Sequence, residues 1–307
     1  MSQYCWPVKP FDSQHPVRGA FGDPRTVFDV PPTMDGAFTG GGQFQFHFGV
    51  DISAPDGTTV YPVVSGTVTQ VTPEWVGVDT GGGRSFQYWH IKAAVKKGDH
   101  VDARTTALGT ILPDFGHVHL TEIEQGHDVN PLVEGRLTPY DDNTDPRVDS
   151  ITFRAPGGTA EMIPNFMRGS VDMIAEAYDT PSIPAPGPWA GLPVAPALLT
   201  WRIQDLDGLA TVAETVAADF RATIPDNSQF WNHYARGTYQ NMSVFGPHYS
   251  WGQPGCYLFK LTPKPFDTKT IPDGVYDLVV TATDIRGNQG SRSRRFTVHN
   301  RPGWVGS

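Results

Sequence analysis

Short runs of Val, Ile, Thr, Tyr and Phe recur along this chain, and Gly, Pro, Asn or Asp separate them every few residues. That punctuation predicts short strands joined by turns. The pattern is densest from residue 44 to about 131. APDGTTVYPVVSGTVTQV carries a turn at Asp56-Gly57, and VKKGDHVDARTTALGTI carries one at Gly98-Asp99. Closely spaced runs of this kind predict antiparallel β-structure. The polar stretch TPYDDNTDPRVDS, residues 138–150, breaks the pattern and marks a boundary between expected domains at 1–140 and 145–307.

Beyond that break the strands resume. In DGVYDLVVTATDIRGN, Tyr276, Leu278, Val280 and Ala282 alternate with Val275, Asp277, Val279 and Thr281. A period of two marks a strand with one buried face. GSVDMIAEAYD, LLTWRIQD and RRFTVHN follow suit, so this half is expected to be an immunoglobulin-like β-sandwich. The Ala-rich stretch 208–223 fits a strand pair better than a short helix. The expected class is therefore all-β: an antiparallel sheet domain followed by a β-sandwich. Residues 1 to about 32 read as an extended, proline-punctuated arm, followed by the Gly-rich DGAFTGGGQ.

Composition narrows the function. Hydrophobic residues are 38% and charged residues 18%, which argues for a folded chain over long disorder. The net charge of −9 leaves no fold-wide basic surface, so nucleic acid is not an expected partner. No apolar run is long enough to cross a membrane as a helix. The N-terminus lacks the apolar core of a secretory signal, so either the protein stays inside or the sequence begins at the mature form. Cys5 and Cys256 are either separate thiols or one disulfide tying the arm to the second domain. Asn241-Met242-Ser243 fits a glycosylation acceptor, a pattern common by chance. Asp284 and Asn288 in DIRGN suit a β-turn better than calcium.

Five residues stand out in the first half: His47 and Asp51 in HFGVD, His90 in YWHI, and His117 and His119 in HVHL. Within each motif the spacing is even, which places side chains on one face of a strand. Imidazole with carboxylate suits zinc, and three protein ligands leave a position for water. On a straight strand His47 and Asp51 stand roughly 13 Å apart, too far to share an ion, so the chain must bend between them. Gly49 sits at that point and permits an unusual backbone angle. Spacing alone allows either or both of His117 and His119 to ligate.

These motifs, in this order, resemble the lysostaphin/LytM-type zinc endopeptidases. FHFGVDISAPDGTTVYPVVSGTV resembles their first metal motif, YWHI the second and HVHL the third. FGDPR, VKKGDHVDARTTALGTI and NPL at 130–132 resemble flanking segments. The resemblance implies zinc held by His47, Asp51 and His119, with His90 and His117 acting on the water and the transition state. It implies an endopeptidase that hydrolyses peptidoglycan stems or cross-bridges outside the cytoplasm, secreted or in the periplasm or cell envelope, and acting as a monomer. A non-catalytic wall-binding or hydrolase-activating module is the alternative, and a histidine phosphocarrier fits less well. In two places the chain departs from the family. PDFG precedes HVHL where a Ser-Thr-Gly-like lead is usual, and the acid after HVHL comes one place late, at Glu122. Both departures put the strand register and the groove floor in question. The second half resembles β-sandwiches appended to cell-wall peptidases, with wall binding, substrate positioning or stabilisation as its role. The Gly-rich segment 36–42 is either a groove loop or a plain surface linker, and the N-terminal arm fits an ordinary extended entry to the fold better than a cover for the groove.

Overall fold

The alternation read in the last half is what buries it. Tyr276, Leu278, Val280 and Ala282 on strand Gly274–Thr283 all enter one core. A computed structural model describes residues 3–28, 42–241 and 254–300. Among these the regular secondary structure is nearly all strand, and no helix is long and apolar enough to cross a membrane.

The first sheet runs in the order Val17–Gly19, Val50–Ser53, His117–Glu124, Arg84–Trp89, Trp75–Gly81, Gly66–Val71 and His100–Val101. Every neighbouring pair is antiparallel. A small sheet of Thr59–Val60, Gly109–Ile111 and Ile91–Ala93 lies beside it. Both expected turns form, with Gly57 and Gly98 at positive φ, where a side chain is strained. The core under this sheet takes Val50, Ile52, Val118 and Leu120 from the central strands. It also takes Tyr4, Trp6 and Val8, so the described start of the N-terminal arm is built into the fold.

The second half is two antiparallel sheets around a shared core. One holds Arg147–Arg154, Ser170–Tyr178 and Leu258–Lys260, with Phe266–Asp267 beside it. The other runs Ala210–Asp219, Leu198–Gln204, Gly274–Thr283 and Gln289–Val298. Two sequence readings need correction here, and the open alternative for the cysteines is decided. Residues 210–219 form a single strand against Leu198–Gln204, because one bulged strand accommodates the Ala-rich run that suggested a pair. The polar break ends sooner than 150, since Arg147 already pairs with Tyr178. Cys5 and Cys256 are both free: Arg104 Nε donates to Cys5 Sγ at 3.0 Å, and Cys256 Sγ lies 3.5 Å from Glu176 Oε1.

The halves share more than a covalent link. Phe21 and Phe46, from the first half, pack into the core of the second, Phe46 against Phe220 and Tyr234. Arg286 in DIRGN donates to the carbonyls of Leu132 and Tyr140, and Asn288 donates to that of Asp142. The DIRGN segment is a turn in which Asp284 accepts from the Arg286 and Asn288 amides. Asn241 is buried, and its amide donates to Pro193 O at 2.6 Å, so it is no glycan acceptor in this fold. The candidate groove loop at 36–42 falls almost wholly outside the described residues.

Candidate metal centre

Two central strands set the geometry. In the ladder between Val50–Ser53 and His117–Glu124, His119 lies opposite Asp51 and His117 opposite Ser53. Alternation sends His117, His119 and Thr121 to the cleft, while Val118, Leu120 and Glu122 face the core. Glu122 is fully buried there, accepting from Tyr4 Oη at 2.6 Å and Arg84 Nε at 2.7 Å, with Arg136 alongside. The late acid therefore leaves the groove undisturbed. It anchors the back of the sheet, and Thr121 takes the cleft-facing place.

His47 reaches the same point from a bend. Strand Gly42–Phe46 ends just before it, and its backbone is pinned by Gly22 N–H donating to His47 O (2.9 Å) and His47 N–H donating to Asp23 O (2.8 Å). His47 Nε2 then lies 3.1 Å from Asp51 Oδ1. The bend is present, but Gly49 permits it for a different reason than expected. It is not among the positive-φ glycines, whereas a Cβ there would come 2.3 Å from Leu120 O and 2.7 Å from His119 Nε2. Close approach, not an unusual angle, requires glycine.

The donor set fits a cation. Ala20 O only accepts, so His47 Nδ1, 2.8 Å away, carries the proton and Nε2 offers a lone pair. His119 Nε2 is engaged by Thr121 Oγ1 at 2.8 Å, which turns Nδ1 inward. Nε2 of His47 and Nδ1 of His119 meet at 2.7 Å, with Asp51 Oδ1 at 3.0 Å from the latter. The three ligand atoms lie within 4.8 Å of one another, and all three residues are buried. Acceptors gathered this closely away from water are satisfied by a metal ion, and two imidazoles with one carboxylate are a zinc set. Burial, then Arg25, lowers His47 to about 3, and burial also lowers His119, so both are neutral as ligands must be. Burial opposes ionisation of Asp51. His47, His117 and Arg25 nonetheless hold its carboxyl well below the usual range.

Arg25 was unassigned in the sequence beyond its place in FGDPR. Its Nη2 donates to Asp51 Oδ2 at 2.6 Å, and its Nη1 to Asp23 Oδ2 at 3.4 Å. It thus leaves Asp51 Oδ1 to face the histidines.

His90 and His117 stand beside the three. Their ring centroids are 4.6 Å apart, and His117 Nε2 is 3.4 Å from Asp51 Oδ1. His90 takes φ 64°, a strained backbone for a side-chain-bearing residue. Its Nδ1 is buried with no hydrogen-bond partner among the described residues, and burial, then His117, lowers it to about 3. The unusual PDFG segment makes this arrangement. Phe115 stacks on His90 at 4.3 Å, and its carbonyl is 2.8 Å from His117 Nδ1. Asp56 holds that loop by accepting from the Asp114 and Gly116 amides, both at 2.7 Å. A cleft of about 560 Å³ opens above, walled by Phe48, Trp89 and Arg18 and, from the second half, by Trp189 and Gln240.

Residues 45–131 match the model of peptidase family M23. Among solved structures the chain is similar to the SpoIIQ–SpoIIIAH pore-forming complex, at 21% identity over 43% of this chain and 90% of that one, with a TM-score of 0.32. It is similar to the M23 metalloprotease pseudoalterin from the deep sea, at 16% identity over 47% and 81%, with a TM-score of 0.29. It is also similar to the catalytic domain of the prophage-encoded M23 protein EnpA from Enterococcus faecalis, at 25% identity over 36% and 92%, with a TM-score of 0.26. No curated protein matches the chain.

Proposed function

Starting from residues 45–131 as a LytM-type M23 peptidase segment, we propose that this protein is a zinc-dependent endopeptidase that hydrolyses peptide bonds in bacterial peptidoglycan. The observation that carries the proposal is the convergence of His47 Nε2, Asp51 Oδ1 and His119 Nδ1 beneath His90 and His117. A zinc ion held by those three supplies Lewis acidity to the scissile carbonyl and to water at neutral pH.

The chain's own groups do the rest. His117 Nε2 points into the cluster, and His117 shares with His90 the transfer of protons between the attacking water and the leaving amine. His90, neutral and with a partnerless buried Nδ1, pairs with the developing oxyanion or returns a proton to the leaving amine. Phe115 fixes the His90 ring in place. Phe48 and Trp89 give the cleft apolar walls that exclude water from the substrate. Such a substrate places the protein's work in the cell envelope or outside the cell.

Metal analysis with a wall-lysis assay tests the reading. About one zinc per chain and release of peptides from purified peptidoglycan are expected. A chain that cannot be loaded with zinc overturns it. A zinc-loaded chain that binds walls and cleaves neither peptidoglycan nor glycine-rich peptides is a wall-binding module instead.

A further inference from the structure

Two arginines reach the cleft, and they differ in how they are satisfied. Arg25 spans the carboxylates of Asp23 and Asp51. Arg18, on edge strand Val17–Gly19, forms no ion pair with any described carboxylate, although it is half-buried. The nearby acids are taken. Asp56 accepts from two backbone amides, and Asp51 Oδ2 accepts from Arg25. Glu74 and Asp114 line the cleft, and neither lies within ion-pair distance of Arg18 among the described contacts. Burial accordingly lowers Arg18 to about 10, while Asp51 and Asp23 raise Arg25.

Arg18 is nevertheless held firmly. Its guanidinium carbon lies 4.0 Å from the centre of the Trp189 ring, a cation–π stack. Its Nη2 is 2.6 Å from His117 Nδ1. One nitrogen therefore meets the candidate proton-transfer residue, and the face is fixed by a residue of the second half. Arg18 also stands at the junction of two hollows. One is the cleft over the metal centre. The other, of about 680 Å³, is walled mainly by Ala54, Pro55, Pro186, Pro188 and Trp189, and its lining also includes Asp56 and Asp114. Arg18 and Trp189 line both hollows, with Arg18 beside His117.

We propose that Arg18, braced by Trp189, selects peptide substrates that carry a carboxylate next to the scissile bond. The guanidinium fork matches a carboxylate, and the stack prepays its ordering. The carboxylate is either a free C-terminus or an acidic side chain, with the second hollow receiving what lies beyond it. The second half then has a direct part in substrate choice. This inference rests on the peptidase reading for where the substrate runs, but its test does not depend on cleavage.

The test is calorimetry on the zinc-loaded full-length chain and on Arg18→Met. Three sets of N-acetylated tetrapeptides serve as probes: tetraglycine acid, tetraglycine carboxamide, and carboxamides with glutamate at each position in turn. Wild type is expected to bind at least one carboxylate probe about tenfold or more tightly than the neutral carboxamide. In Arg18→Met that ratio is expected to fall about tenfold, because zinc contributes equally to both proteins. Trp189→Ala is expected to lower the ratio partway. Preference for the free acid identifies a terminal carboxylate, and preference for a glutamate probe identifies a side chain. A wild-type ratio near one, or a ratio that survives in Arg18→Met, overturns the proposal. Parallel cleavage assays keep the readings apart: carboxylate preference in binding without any cleavage would sink the peptidase reading alone.

Discussion

His119 and Asp51 face each other across an antiparallel ladder, with His119 Nδ1 3.0 Å from Asp51 Oδ1. Two of the three candidate ligands are thus set by strand register, and only His47 depends on a loop. Substituting His47, Asp51 or His119 by Ala is expected to reduce bound zinc well below one per chain. His117→Ala is expected to keep zinc while losing roughly 10²–10⁴ in rate, the usual range for general acid–base groups. Metal analysis and peptide-release rates on the same preparations check both.

Gly49→Ala is expected to strike the ligand set from below. Its Cβ would fall 2.3 Å from Leu120 O, which cannot retreat without moving the central strand, and 2.7 Å from His119 Nε2, which would have to turn away from the other ligands. A stability loss of about 1–3 kcal/mol, typical of overpacking, is expected along with weaker zinc binding. Urea unfolding and zinc competition titrations measure the two effects.

The back of the same strand offers a purely structural test. Glu122 is fully buried between Arg84, Arg136 and Tyr4. Glu122→Ala leaves the arginines without their buried carboxylate and is expected to cost about 3–5 kcal/mol. Tyr4→Phe removes one hydrogen bond to a charged group, at about 1.5–3 kcal/mol. Denaturant midpoints provide the comparison.

A pH dependence is expected away from the cleft. Burial, then the Asp142 carboxylate, pushes the Asp179 carboxyl from 3.8 up to about 8. Between those values the folded chain holds a proton that the unfolded chain has released, so stability falls as pH rises through about 8. Asp179→Asn is expected to flatten that fall and to melt above wild type at pH 9. Melting curves from pH 5 to 9 decide it; parallel curves for the two proteins would refute the assignment.

Part of the site was legible because Asp51, His117 and His119 sit on neighbouring strands, where even spacing shares a face. The order of the motifs supplied His47, Asp51, His90, His117 and His119, and the structure brings all five around one cleft. The demand for a bend near Gly49 followed from strand rise alone. The cause of the glycine did not, because it lies in Leu120, a residue of another strand. Thr121, Arg25 and Trp189 were missed for a similar reason. Each acts on a partner through tertiary contact, and none belongs to a periodic pattern or a motif that names its role. PDFG looked like a fault in the third motif, yet Phe115 props His90. Only the folded sheet shows the partners that Glu122 meets on the inner face, Tyr4, Arg84 and Arg136.

Phe21 and Phe46 belong to the half that carries the metal centre, yet both lie in the core of the other half. The residue after Phe46 is His47. A chain stopped near residue 140 would therefore strip two aromatic rings of their surroundings and loosen the ribbon that presents a ligand. The first half is thus a poor candidate for transplantation. Exchanging its sandwich for another would succeed only where the new partner offers a socket for both rings.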